Sequence, residues 1–146
     1  MIFKNILAPV DGSPPSDAAV KLAVQLAKEA GAKLVFCHAM AIPLPVHDAG
    51  GFAREEILEE EKTRGNEVLD AALKAAAEAG VKAQTSLLGG SVTEAVLEVA
   101  REEGSDVIVI GTHGRSGIVR AILGSKTAAI LARSPLPVLV APHVPS

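Results

Sequence analysis

The chain has 146 residues, 49% of them hydrophobic and 21% charged, with a formal net charge of -3. That length suits a single domain, residues 1–146, with a substantial core, and the apolar content excludes a disordered chain. An acidic balance with 3 Phe, no Trp and no Tyr excludes a general nucleic-acid binder, which needs a basic face and stacking rings.

Ile6-Leu7-Ala8-Pro9-Val10 predicts a first strand, closed by the turn signal Asp11-Gly12-Ser13. Met1 to Ile6 enters it without the basic start and apolar segment of a secretory signal. No apolar run reaches the ~20 residues of a membrane span. The expectation is a cytoplasmic protein with no membrane contact. Ser13 is placed to cap a helix with Pro14 at its first position, where a missing N–H is harmless. Ala19, Leu22, Ala23, Leu26, Ala27 and Ala30 recur at helical spacing, and Gly31 stops the helix. Ala32 to His38 supply a second strand, in which the lone cysteine, Cys37, reads as a small buried hydrophobe rather than a redox nucleophile.

Met40 to Gly51, with Pro43, Pro45 and Gly50, predicts a long loop. A long helix follows from about Ala53 to Ala79, with Gly65 as a mild weak point. Its Glu55, Glu56, Glu59, Glu60 and Glu61 form a solvated face rather than a metal site, and Val68, Leu69, Ala72, Leu73 and Ala76 form a buried one. Gly80 ends it. Val81 to Leu88 is a third strand, and Gly89-Gly90 turns the chain. Ser91-Val92-Thr93-Glu94 matches a capping box, with Ser91 as cap, ahead of a helix closed by Gly104. Val107-Ile108-Val109-Ile110 has no polar residue and belongs in the middle of a sheet covered on both faces. After a glycine loop, Ile118 to Leu123 reads as a turn or irregular helix, and Ser125 to Arg133 as a regular one. Pro135-Leu136-Pro137 leads into an edge strand, Val138 to Ala141.

Strands alternating with helices give an open α/β fold with a mostly parallel five-stranded sheet and helices on both faces. In such folds ligands bind beyond the carboxyl ends of strands, where strand order reverses. Strand order 3-2-1-4-5 keeps every crossover right-handed. It also joins the two strand ends that carry chemistry, Pro9-Val10-Asp11-Gly12-Ser13 and Gly111 onward, in one crevice.

The second of these ends is Gly111-Thr112-His113-Gly114-Arg115-Ser116-Gly117, followed by Gly124-Ser125-Lys126-Thr127. Glycines at such spacing permit tight turns, positive φ and close approach to a ligand, and a helix N-terminus adds free N–H groups. Together they describe a cradle for phosphates, with plain turn-making as the blander reading. The segment is not a P-loop, which requires glycine directly before the lysine and another five positions earlier. Asp11 is placed either to accept hydrogen bonds from vicinal hydroxyls or to act as a turn residue. His113 has no dedicated orienting carboxylate for base catalysis. His38 reads as a structural strand-end residue, and His47 and His143 form no metal spacing. No Gly-x-Ser-x-Gly elbow is present.

The pattern Gly111-x2-Gly114-x9-Gly124-Ser125, the opening Ile6 to Ser13, the His38-Ala39 strand end, Gly89 and the close Ser134 to Val140 together resemble the universal stress protein family, ATP-binding branch, over nearly the whole chain. The resemblance implies a Rossmann-like fold that binds ATP with Mg2+ or Mn2+. It implies a binding site of Pro9, Val10, Asp11, Ala39, Gly111, Thr112, Gly114, Arg115, Ser116, Gly124, Ser125, Lys126 and Thr127. Asp11 would serve the ribose and the metal, the Ala39 backbone the adenine edge, and Gly111, Gly114, Gly124 and Ser125 the phosphates. Lys126 departs from the small or apolar residue common there, and either reaches the terminal phosphate or points to solvent. The expected function is an ATP-binding nucleotide-sensing or stress-response module with at most slow ATP hydrolysis. A slow ATPase or nucleotidyl-transfer enzyme, and a stress protein holding AMP or no nucleotide, stand as alternatives. A homodimer through the last strand is expected, because Val138 to Ala141 forms an uncharged edge.

Overall fold

A computed structural model of the chain describes residues 3–40, 51–112 and 123–143. The elements are β1 (Asn5–Pro9), α1 (Pro14–Ala30), β2 (Lys33–Met40), α2 (Gly51–Glu78), β3 (Ala83–Gly89), α3 (Val92–Glu102), β4 (Val107–Gly111), α4 (Ser125–Arg133) and β5 (Val138–Ala141). The strands form one sheet in the order β3-β2-β1-β4-β5. All four strand pairings are parallel.

Strict alternation sorts the sheet's side chains into two cores. Ile6 and Ala8 of β1, Leu34 and Phe36 of β2 and Val107 and Val109 of β4 face one way, onto Ala19, Ala23 and Ala27 of α1 and Leu69, Ala72 and Ala76 of α2. Leu7, Val35, Cys37, Ile108 and Ile110 face the other way, onto Val96, Val99 and Ala100 of α3 and Ile130 of α4. A central strand buried on both faces needs an apolar residue at every position, which is why Val107 to Ile110 is unbroken. Alanine on the inner faces of α1 and α2 lets those helices lie close to the sheet. Larger β-strand side chains such as the fully buried Phe36 supply the volume, at roughly 1.5–3 kcal/mol for each such side chain removed from water.

Local signals account for the helix ends. Ser13 caps α1, its hydroxyl accepting the Ser16 N–H at 3.3 Å, with proline at the first helical position. Gly31 closes the helix in the left-handed region at φ 63°. At α3, Ser91 takes the cap position but makes no side-chain cap hydrogen bond. The capping box expected there is absent as a bonded motif, and the first turn rests on the Ala95 N–H to Ser91 carbonyl bond at 2.9 Å. The long helix begins at Gly51 rather than Ala53, and β3 runs from Ala83 rather than Val81. Of the loop expected from Met40 to Gly51, Met40 ends β2 and Gly51 begins α2, while residues 41–50, like residues 118–122 of the turn expected from Ile118 to Leu123, lie outside the described residues.

The N-terminal ends of β1 and β4 are clamped together. Asp106 accepts the Lys4 N–H at 2.8 Å and the Asn5 N–H at 3.2 Å, and the Asn5 side-chain amide donates to the Gly104 carbonyl at 3.0 Å. This clamp sets the register of the two central strands, and so the relative height of their carboxyl ends. No helix among the described residues is long and apolar enough to cross a membrane.

Cys37 is fully buried, and desolvation pushes its thiol up to about 12. The native protein should therefore resist a thiol-specific disulfide reagent at pH 8, with labelling at the rate of unfolding. Rapid labelling of the folded protein would contradict this packing.

Candidate functional site

At the carboxyl end of β1 the chain turns into α1 through a closed set of hydrogen bonds. Asp11 Oδ1 accepts the Ser13 N–H at 2.9 Å and the Ser13 hydroxyl at 2.5 Å. The Asp11 N–H in turn donates to the hydroxyl oxygen of Ser16 at 3.0 Å. Gly12 takes φ 82° between them, a conformation that favours glycine. Asp11 is thus a turn-forming residue, as the blander reading held, and its half-buried side chain also faces the cleft described below. Both aspects follow from one geometry, because the turn aims the carboxylate beyond the strand end.

At the end of β4, Gly111 is still part of the strand and pairs with Ala141 of β5. A Cβ there would lie 2.5 Å from the Pro15 carbonyl oxygen and 2.7 Å from its carbon, so only glycine admits the first turn of α1. The Gly111 carbonyl accepts the buried Thr127 hydroxyl at 2.8 Å. The Thr112 carbonyl accepts the Gly124 N–H at 2.6 Å. These bonds seat the N-terminus of α4 against the end of β4. Gly124 holds the cap position at φ −69°, and neither it nor Gly111 has positive φ. The positive φ expected at Gly124 is therefore corrected; Gly111 is required for close packing, and Gly12 on the β1–α1 turn takes the positive φ.

β2 and α2 form the third wall. His38 is 4% exposed, and its Nδ1 lies 2.7 Å from the Val10 carbonyl. A carbonyl only accepts, so Nδ1 carries the hydrogen. Gly65 of α2, expected as a weak point in the helix, instead packs against this ring: a Cβ at 65 would lie 3.0 Å from His38 Cδ2 and 2.6 Å from Leu87 Cδ1.

The three walls enclose a cleft of about 240 Å³. It lies at the carboxyl ends of β1 and β4, where the strand order reverses. Of the residues singled out in the sequence, Pro9, Val10, Asp11, Ala39, Gly111, Gly124, Ser125, Lys126 and Thr127 line it. Thr112 contributes its carbonyl bond to Gly124 and has a buried hydroxyl without a hydrogen-bond partner among the described residues. Lys126 is exposed at the cleft mouth. His113, Gly114, Arg115 and Ser116 lie outside the described residues, as does His47. Sequence reasoning missed Ser16, Arg64, Val92 and Val96, which also line the cleft. Val92 and Val96 were legible only as an apolar helix stripe, and Arg64 only as one charge on a charged helix face. Among the described residues no group of three or more His, Cys, Asp and Glu is placed to hold a metal ion.

Val10, Val92, Val96 and Ile110 give the cleft an apolar wall, and Asp11, Ser125 and Lys126 give it polar groups. The N-termini of α1 and α4 both approach it, each with the positive end of a helix dipole. The model of the Universal stress protein family matches residues 2–142. The chain belongs to that family. A universal stress protein of Methanocaldococcus jannaschii is 34% identical over 139 residues, covering 95% of this chain and 82% of the relative. The universal stress protein UspA from Lactobacillus plantarum shares the fold at a TM-score of 0.84 with 24% identity, covering 97% of this chain and 99% of that one. A universal stress protein in complex with cAMP superposes at a TM-score of 0.63 with 28% identity, covering 96% of this chain and 97% of that one.

Gly111→Ala tests the packing at the heart of this universal stress protein's cleft. Its Cβ meets backbone rather than a movable side chain, so the expected cost is about 1–3 kcal/mol. In a chain of this size that corresponds to a fall of about 2–12 °C in melting temperature. An unchanged melting temperature would refute the close approach of α1 to β4.

Proposed function

We propose that this universal stress protein binds ATP in the cleft and acts in the cytoplasm as a nucleotide-sensing module of a stress response. The observation that carries this reading is the convergence of two helix N-termini and the Asp11 carboxylate on one strand-order reversal. The related protein in complex with cAMP supports an adenine nucleotide as the ligand class. The cleft's volume, about 240 Å³, suits a base and sugar, with the phosphates continuing over the first turn of α4. There the leading N–H groups of Ser125 and Lys126 lack intrahelical partners by position, and the Ser125 hydroxyl is exposed beside them. Asp11 accepts ribose hydroxyls or holds Mg2+ or Mn2+ together with phosphate oxygens. A single carboxylate fits such a cation, which commonly takes one or two carboxylates plus phosphates. The bound cation would neutralise phosphate charge. Gly114, Arg115 and Ser116 complete the phosphate site in this reading.

Calorimetric titration with ATP and ADP tests this function. Asp11→Ala should weaken both nucleotides alike, by about tenfold, the worth of one ordinary hydrogen bond. Lys126→Ala should weaken ATP more than ADP, by about 10- to 100-fold, if its amine meets the terminal phosphate. Phosphate release should stay well below the ~1 s⁻¹ at the lower end of ordinary enzyme turnover. Native protein that binds neither nucleotide at millimolar concentration would overturn the proposal.

We also propose a two-fold homodimer through β5. Its half-buried Val138, Leu139 and Val140 carry no charge to discourage strand addition, and Leu131 of neighbouring α4 is 38% exposed. Sedimentation equilibrium should give twice the chain mass, and Val140→Lys should shift it to monomer. A single-chain mass at every concentration of the native protein would refute the dimer.

A further inference from the structure

β1 ends at Pro9, and just beyond it the Val10 N–H donates to the Cys37 carbonyl of β2 at 2.8 Å. The next peptide unit, between Val10 and Asp11, finds its partners in side chains instead. In a trans peptide the carbonyl and the N–H point to opposite sides, so each needs its own. The Val10 carbonyl accepts the His38 Nδ1–H at 2.7 Å, and the Asp11 N–H donates to the Ser16 hydroxyl oxygen at 3.0 Å. His38 is 4% exposed and Ser16 5%, so both bonds are made by buried side chains. Each side chain is itself held. Gly65 of α2 packs against the far edge of the imidazole, where a Cβ would lie 3.0 Å from Cδ2. Ser16 stands in the first turn of α1, its own N–H bonded to the Ser13 hydroxyl at 3.3 Å.

One peptide plane is thus gripped at both edges, from β2 on one side and from α1 on the other. A plane held at one edge can still turn about the single bonds that flank it. Held at both, it turns only by breaking a buried hydrogen bond. Asp11 is the residue this plane carries, and its carboxylate is fixed in turn, Oδ1 accepting the Ser13 N–H at 2.9 Å and the Ser13 hydroxyl at 2.5 Å. Backbone and side chain of Asp11 are therefore set before a ligand arrives. We infer that His38 and Ser16 are positioning residues that pre-organise Asp11 for the nucleotide, acting through the Val10–Asp11 peptide. The inference rests on the nucleotide-binding reading above. It assigns His38 a role at Nδ1 alone. An apolar ring of similar shape would fill the space between Val10 and Gly65 equally well and leave the carbonyl unheld, so what histidine adds is the donor. Pre-organisation matters because a peptide that must be ordered at the moment of binding subtracts from affinity.

The test is a double-mutant cycle read by calorimetric titration with ATP and ADP. His38→Phe should weaken both nucleotides alike, by about tenfold, the cost of ordering one peptide unit at binding. His38→Asn, whose side-chain amide N–H can stand where Nδ1–H stood, should regain most of that loss. In an Asp11→Ala background, His38→Phe should cost nothing further, because the residue it positions is gone. Ser16→Ala releases the other edge of the same plane and should behave as His38→Phe does, which keeps the test open if the ring variants do not fold. Nitrogen-15 NMR of the unaltered protein should show the His38 proton on Nδ1. Native affinity in folded His38→Phe, or a loss that adds in full to that of Asp11→Ala, overturns the inference. So does a His38 ring that carries its proton on Nε2 alone. Native protein that binds neither nucleotide overturns the nucleotide function itself and this inference with it, whereas a failure of the positioning alone leaves native binding intact.

Discussion

The backbone of Gly111 passes between two helix N-termini with no room for a side chain, and the cleft is built around that approach. On one side the Pro15 carbonyl stands where a Cβ would be. On the other, the Gly111 carbonyl takes the Thr127 hydroxyl, and the Thr112 carbonyl takes the Gly124 N–H. The first turns of α1 and α4 therefore converge on the end of β4 because one residue there has no side chain and two carbonyls point outward. A helix dipole acts mainly within its terminal turns, so this convergence of two first turns has electrostatic consequences that a few ångströms of separation would remove.

The opposite end of the sheet sets the heights of these parts. Asp106 ties the backbone of Lys4 and Asn5 to the start of β4. With the N-terminal ends of β1 and β4 locked, their carboxyl ends emerge in fixed relation, Asp11 from one and Gly111 from the other. Hydrophobic alternation then orients the sheet between its helix layers, with Leu34 and Phe36 facing α1 and α2, and Val35 and Cys37 facing α3 and α4. His38 continues that alternation and comes out on the α2 side, where Gly65 receives it.

Most of the architecture was legible from local pattern. The apolar run Val107 to Ile110 announced a doubly covered strand, Ser13-Pro14 a helix start, Gly31 its end, and the placing of two chemical strand ends side by side the order 3-2-1-4-5. Less legible were features in which one element answers another far along the chain. Gly111 looked like a loop glycine because its constraint comes from Pro15, about a hundred residues earlier in sequence. Gly65 looked like a helix defect because the ring it accommodates belongs to β2. Ser91 and Glu94 had the spacing of a capping box, but spacing does not oblige a hydroxyl to turn toward the helix. Arg64 was hidden among the many charges of α2, and only the folded helix brings it to the cleft.

The central claim is that the N-terminus of α4, set beside the Asp11 carboxylate at a strand-order reversal, holds the phosphates of a nucleotide in the cleft. A crystal structure of the protein grown with ATP and Mg2+ tests it most directly. The account predicts phosphate oxygens within hydrogen-bond distance of the Ser125 and Lys126 backbone N–H groups, with the purine toward the Ala39 end of β2. Nucleotide bound away from this cleft, or in it with the phosphates turned from α4, would contradict the account.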